Sequence, residues 1–310
     1  MRLATIDIGT NTTLLLVAEM RDGQAHVLDE RAEITRLGRG IGTGGDLGSA
    51  GIDRTLATLS DYAAIANKHG AAIWAIGTEA LRRAPNAADF LIPAGQVLGS
   101  PVEVIDGDRE AALTFLAAAR SFPAAIAGQA VVIDIGGGST EIIVAQAGQM
   151  QFRRSLPVGS VRLTERHVRS DPATPSELVA ILDEVTQRLT DLAIPFPSGR
   201  ATLVGTAGTV TSLAAMSLGL TSYDPQLVHG YRLTAVALEK QIARLRPSTQ
   251  AQRENMAGLD PKRADVILAG AVILHTIVTR LGVQEVLVSD RGIRWGLLFE
   301  KADLAHQAPA

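Results

Sequence analysis

The chain has 310 residues and a mass of 32.6 kDa, and 46% of its side chains are hydrophobic, enough apolar material for two cores of ordinary size. Its 29 Lys plus Arg against 32 Asp plus Glu leave a formal charge of −3, so no global field draws it to DNA, RNA or an anionic membrane. Zero cysteines exclude disulfides and thiolate metal sites.

In chain order, the turn Asp7-Ile8-Gly9-Thr10-Asn11-Thr12 lies between two strand-like apolar runs, 3–6 and 14–17. Residues 24–35 alternate well enough for a third strand, and 38–51 form a glycine-rich loop leading to a helix that starts around Ile52. A short buried strand over 73–76 runs into Gly77-Thr78-Glu79, where Thr78 is placed to cap the next helix. Residues 89–95 read as helix and 102–105 as strand. Asp106-Gly107-Asp108 then turns the chain into an alanine-rich helix over 109–120. The stretch 121–128 reads as a boundary, giving a first domain of 1–125 and a second of 126–310.

The second half repeats the opening. Asp134-Ile135-Gly136-Gly137-Gly138-Ser139-Thr140 again sits between apolar runs, 131–133 and 142–144. A strand near 150–156 follows, then a helix-rich insertion over 160–193 with a turn at 172–175. The strand 203–206 enters a Gly/Thr turn and a helix over about 210–218. Helices over 235–244 and 263–280, a strand over 285–289 and a final helix over 292–303 complete the reading. The apolar run 266–278 is broken by Gly270 and His275 and is too short to cross a bilayer. The first strand begins within three residues of the start, which leaves no room for a signal sequence and makes the cytoplasm the expected location.

Glycine and small hydroxyl residues at a bend let backbone N–H groups approach an anion, because no Cβ blocks the way. The aspartate of such a turn is placed to hold a cation that neutralises the same anion. Two facing copies would make a cleft with a phosphate grip on either wall. The basic side chains are mostly arginine, whose fork suits bidentate phosphate contact. The predicted fold is a mixed α/β protein made of two related halves.

Asp7-Ile-Gly-Thr-Asn11, Arg36-Leu-Gly-Arg-Gly40, Thr78-Glu-Ala-Leu-Arg-Arg-Ala-Pro-Asn86, Asp134-Ile-Gly-Gly-Gly-Ser-Thr-Glu141 and Ser155-Leu-Pro-Val-Gly-Ser-Val-Arg-Leu-Thr164 together resemble the exopolyphosphatase and guanosine pentaphosphate phosphohydrolase (Ppx/GppA) family. The likeness continues through Gly205-Thr-Ala-Gly-Thr209, Val228-His-Gly-Tyr231, Gly258-Leu-Asp-Pro-Lys-Arg-Ala-Asp265 and Val288-Ser-Asp-Arg-Gly-Ile-Arg294, so it covers nearly the whole chain, in the family's short two-domain form. It implies two ribonuclease-H-like α/β domains of the actin, heat-shock ATPase and sugar-kinase superfamily around a central cleft, with the last helix crossing back to the first domain.

The resemblance also implies a chemistry. Glu110, followed by Ala111, orients or deprotonates the water that attacks a terminal phosphorus. Asp134 and Glu141 hold Mg²⁺, or Mn²⁺ in its place, with Asp7 lining the other side. Gly136, Gly137, Gly138, Ser139 and Thr140 bind phosphate oxygens from one wall and Thr10, Asn11 and Thr12 from the other. Arg36 and Arg82 contact the polyanion, while Arg39, Arg83, Arg162 and Arg294 are either contacts or ion-pair partners. His229 reads as structural, and Trp74 and Trp295 as packing residues. The activity implied is Mg²⁺-dependent hydrolysis of terminal orthophosphate from inorganic polyphosphate. Hydrolysis of guanosine pentaphosphate (pppGpp) at the same site is an alternative substrate reading. A homodimer formed across the second domain is compatible with it.

The chain departs from the family pattern at Arg109, where a second glutamate is usual. A charge reversal beside the proposed base motivates another reading, a weakly active regulator that binds polyphosphate or an alarmone. A sugar kinase or ATPase is the superfamily rival, against which the chain shows no separate acidic base for a sugar hydroxyl.

Overall fold

A computed structural model describes residues 1–42, 45–197 and 201–307; Thr43 and Gly44 of the glycine-rich loop lie outside the described residues. The chain divides into two compact units, residues 1–117 with the segment from Ile293 onward, and Ala118–Gly292.

The first unit is built on a sheet of β1 (Arg2–Ile8), β2 (Thr13–Arg21), β3 (Gln24–Glu33), β4 (Ala72–Gly77) and β5 (Val102–Val104), in the order β3-β2-β1-β4-β5. β1 runs antiparallel to β2 and parallel to β4. Its helices are α1 (Ser49–Lys68), α2 (Glu79–Arg83), α3 (Ala88–Leu98) and α4 (Gly107–Ser121), the last of which crosses the division between units. Period-two alternation decides what each face of the sheet meets. Ala4, Ile6, Ile8, Leu15 and Val17 form a core with Leu59, Tyr62, Phe90 and Leu98 of α1 and α3. Leu3, Leu16, Ala18 and Met20 point the other way and pack with Trp295, Leu298 and Phe299 of the final helix.

The second unit repeats the plan with β6 (Gln129–Ile135), β7 (Thr140–Gln146), β8 (Gln149–Leu156), β9 (Thr202–Thr206), β10 (Arg232–Thr234) and β11 (Glu285–Val288), ordered β10-β11-β9-β6-β7-β8. Reversed, its first five positions read β8-β7-β6-β9-β11, matching β3-β2-β1-β4-β5 strand for strand. From Ala130 onward β6 is buried throughout, as expected of a central strand covered on both faces. The helices are α5 (Pro123–Ile126), α6 (Ser160–His167), α7 (Pro175–Asp191), α8 (Ala207–Leu218), α9 (Pro225–Val228), α10 (Ala235–Leu245), α11 (Gln250–Arg253) and α12 (Ile267–Leu281). A full capping box of Thr174 and Glu177 starts α7, and α12 is almost wholly buried in the core of the unit. The chain then returns to the first unit as α13 (Ile293–Gln307). Gly296 permits this return, because a Cβ there would stand 2.0 Å from the Leu113 carbonyl oxygen of α4.

Two sheets of one strand order, each carrying an antiparallel hairpin and parallel crossovers, make the pair of ribonuclease-H-like α/β units that the sequence resemblance implied. Three sequence expectations needed correction. Thr78 occupies the cap position of α2 without making a side-chain cap. The Gly/Thr segment after β9 is already the first turn of α8, which begins at Ala207 and not near residue 210. Trp74 is 41% exposed on β4, with Lys301 Nζ 4.0 Å from its ring centroid, whereas Trp295 is buried as expected. Among the described residues no helix is long and apolar enough to cross a membrane.

Candidate active site

The two aspartate turns are the same structure. In the first unit Gly9 N–H donates to Thr12 O at 3.0 Å; in the second Gly136 N–H donates to Ser139 O at 3.0 Å. Each turn is then gripped by the segment after the third strand of its sheet. Arg36 and Gly38 donate to the carbonyls of Asn11 and Thr10 at 2.9 and 2.8 Å. Ser160 donates to Gly136 O, Val161 and Arg162 donate to Gly137 O, and Arg162 Nε donates to Gly138 O at 2.6 Å. With these carbonyls taken, the N–H groups of Thr10, Asn11, Gly137, Gly138 and Ser139 have no acceptor among the described residues. Successive unpaired N–H groups at a bend are an anion nest.

Close approach at the grip depends on glycine. A Cβ on Gly159 would sit 2.4 Å from Gly137 O, and one on Gly38 would sit 2.5 Å from Thr10 Cγ2. Arg36 holds its turn from the left-handed region, φ 55°. Its main-chain bond to Asn11 is what the unusual conformation secures. Thr12 is half-buried at the end of its turn, and Thr140 Oγ1 donates to Val158 O at 2.6 Å, so the Thr140 hydroxyl braces the hairpin.

The aspartates of the two turns have different neighbours. Asp134 on β6 is the direct register partner of Glu141 on β7, so the two carboxylates share a face of the sheet, with Cβ atoms about 5 Å apart by strand geometry. They are 6% and 2% exposed, and Ser155 of β8 donates its hydroxyl to Glu141 Oε1 at 2.6 Å. Asp7 on β1 is flanked instead by Leu14 and Ile76. Burial in that apolar row pushes its carboxyl up to about 6 against the opposing pull of Arg294, and Oδ1 has no hydrogen-bond partner among the described residues. Asn11 Nδ2 is likewise buried without a partner among the described residues.

Among the described residues no three His, Cys, Asp or Glu side chains converge as a metal cluster. Two adjacent hard carboxylates fit a cation that keeps most of its water, which is the habit of Mg²⁺. Asp134 and Glu141 belong to one unit and Asp7 to the other.

Glu110 lies in the first turn of α4, which Asp106 caps by accepting from Arg109 N–H at 2.8 Å. Its carboxylate is buried, 3% exposed, and Arg82 Nη1 donates to Oε1 at 2.5 Å and to Ile105 O at 2.6 Å. Arg82 therefore engages the proposed base directly, a contact that spacing along the chain did not announce. Its Nε and Nη2 have no acceptor among the described residues. Arg109 forms a bidentate pair with Glu300 of α13 at 2.5 Å, which raises its own pKa further above the ordinary arginine value.

Of the other arginines, Arg83 pairs with Glu79 at 3.1 Å and Arg294 with Glu30, while Arg162 serves the second turn and Arg39 is exposed. His229 stacks on Phe122 at 4.8 Å, and its Nδ1 accepts from Asp290 N–H at 3.3 Å, which is a structural role. Ser155, Gly38 and Gly159 acquire roles that the sequence reading did not give them, although all three stand inside the motifs it quoted.

The model of the Ppx/GppA phosphatase family matches residues 16–305. Exopolyphosphatase 2 of Mycobacterium tuberculosis is 35% identical over 317 aligned positions, covering 97% of this chain and 98% of that one. The crystal structure of the Aquifex aeolicus member of the Ppx/GppA protein family superposes with a TM-score of 0.83 at 33% identity, covering 100% and 99% of the two chains. An exopolyphosphatase from Cytophaga hutchinsonii superposes with a TM-score of 0.90 at 28% identity, covering 98% of each. By fold and by sequence this is an enzyme of the phosphoric anhydride hydrolase class. The chain belongs to the Ppx/GppA phosphatase family.

Proposed function

We infer that the protein is a cytoplasmic exopolyphosphatase, removing terminal orthophosphate from inorganic polyphosphate with Mg²⁺. The observation that carries this reading is Glu110, a buried carboxylate pinned by Arg82 in the first turn of α4. The names of the M. tuberculosis and C. hutchinsonii relatives support the substrate.

In this reading Glu110 takes a proton from water as the water oxygen bonds to the terminal phosphorus. The phosphoanhydride bond breaks, and the chain leaves one phosphate shorter. Phosphoryl transfer asks the protein mainly for positioning and charge compensation. In each unit the nest N–H groups are donors suited to phosphate oxygens, and in the first unit the open nitrogens of Arg82 add a cationic contact. Asp134 and Glu141 would hold Mg²⁺, which when bound contributes charge neutralisation at the phosphate. Asp7 adds a carboxylate beside the first nest.

The 5′ end of guanosine pentaphosphate presents the same terminal group, and the family description pairs Ppx with GppA, so it is the second substrate to assay. The regulator alternative loses its motive, because Arg109 is engaged by Glu300. Orthophosphate release from short polyphosphate, long polyphosphate and pppGpp, measured for wild type and Glu110→Gln, tests the proposal. Release confined to wild type supports it, and no release from any substrate overturns it.

A further inference from the structure

The register of the second sheet lines up four oxygen-bearing side chains on one face: Ser155 opposite Glu141, Glu141 opposite Asp134, and Asp134 opposite Thr206. Three of them are accounted for above. Thr206 is not.

Thr206 is 2% exposed, and its hydroxyl has no hydrogen-bond partner among the described residues. Thr206 is also the N-cap of α8, where a threonine oxygen ordinarily accepts from a backbone N–H two or three residues on. Thr174, Thr234 and Thr249 all make that cap in this chain, whereas Thr206 does not. A Cβ placed on Gly292 would stand 3.3 Å from Thr206 Oγ1 and 3.8 Å from Asp134 Oδ2, so both oxygens border one small space that Gly292 leaves open. A buried hydroxyl left without a partner is costly to hold, and a binding group awaiting a ligand accounts for it.

We propose that Thr206 is a ligand-binding residue of the active site, its hydroxyl donating to an oxygen of the cation–phosphate assembly that Asp134 faces, either a cation-bound water or a phosphate oxygen. This rests on the Mg²⁺ reading of Asp134 and Glu141 and adds a member to it. The contrast within the molecule is informative, since Ile76 occupies the matching register position beside Asp7.

The test is calorimetric titration of Mg²⁺ into wild type, Thr206→Val and Thr206→Ser, with and without inorganic phosphate, alongside thermal melts. Valine keeps the shape and removes the hydroxyl, so a folded variant is expected. The expected result is affinity reduced about tenfold in Thr206→Val, the worth of a hydrogen bond to a charged assembly, with Thr206→Ser close to wild type. A loss already present without phosphate places the hydroxyl on a cation-bound water. A loss only with phosphate places it on a phosphate oxygen. Equal affinity of wild type and Thr206→Val in both arms overturns the inference while leaving the cation site standing. An equal loss in valine and serine variants overturns it in favour of methyl packing. Failure of wild type to bind Mg²⁺ removes the cation site and this inference with it.

Discussion

Arg109 grips Glu300 with two guanidinium nitrogens at 2.5 Å, tying the first turn of α4 to α13 across 191 residues of sequence. The residue that departs from the family pattern therefore acts in the frame around Glu110, with its charge paired to Glu300. Both partners are partly exposed, so solvent weakens the pair. Arg109→Ala and Glu300→Gln are each expected to cost about 1 kcal/mol of stability. A double-mutant cycle by chemical denaturation should show the two effects coupled. Phosphate release should persist in both variants, and a turnover collapse in Arg109→Ala confined to kcat would show that the charge acts on catalysis.

Glu110→Gln keeps the size of the side chain and one acceptor for Arg82 while removing the basic oxygen. Turnover is expected to fall by about 10²–10⁴-fold, the usual contribution of a positioned base, with little change in melting temperature. Single-turnover phosphate release measures this. A variant with near-wild-type kcat would move the base elsewhere.

Burial raises the Asp7 carboxyl from 3.8 to about 6, so between those values the folded state binds more protons than the unfolded chain. Stability of the metal-free protein should therefore fall as pH rises from about 4 to about 6 and level off above. The size of that loss is on the order of 2–3 kcal/mol, following the shift. Denaturant melts across this range should show the slope in wild type and not in Asp7→Asn, which should be the more stable form at pH 8. Identical slopes would mean that Asp7 is hydrated in the folded state.

Gly159→Ala drives a methyl against the Gly137 carbonyl, backbone against backbone, where no side chain can swing aside. The expected loss is about 1–3 kcal/mol, with phosphate affinity falling further because the second nest is displaced. Melting temperature and KM for short polyphosphate measure the two effects. Gly148→Ala provides the contrast, since a Cβ there meets nothing within 4 Å and only its left-handed backbone, φ 79°, resists the change.

The paired hairpins were legible because a glycine and hydroxyl bend between two apolar runs can hardly be another structure, and its repetition at Asp134 gave both sheets their first two strands. The start of α8 was not. Gly205-Thr206-Ala207-Gly208 has poor helix propensity, and Ala207 sits at φ 67°, a conformation no propensity favours for alanine. Side-chain pairing across long separations escaped for a different reason. Spacing arguments see three or four residues along a helix or two along a strand, whereas Arg82 meets Glu110 through the convergence of two helices. Trp74 shows the same limit, since an apolar run identifies a strand without saying which of its alternating faces is covered.

The division of the chain gives its synthesis a direction. Residues 118–292 form one uninterrupted stretch, able to close on itself as soon as it is made. The first unit, although begun earlier, waits for α13 before Leu3, Leu16, Ala18 and Met20 are covered. A nascent chain thus carries an open apolar sheet face until the whole second unit has been made and α13 follows to seal it. Ribosome stalling or a premature stop shortly before Ile293 would release a molecule with one finished half and one adhesive half, a ready client for chaperones and proteases.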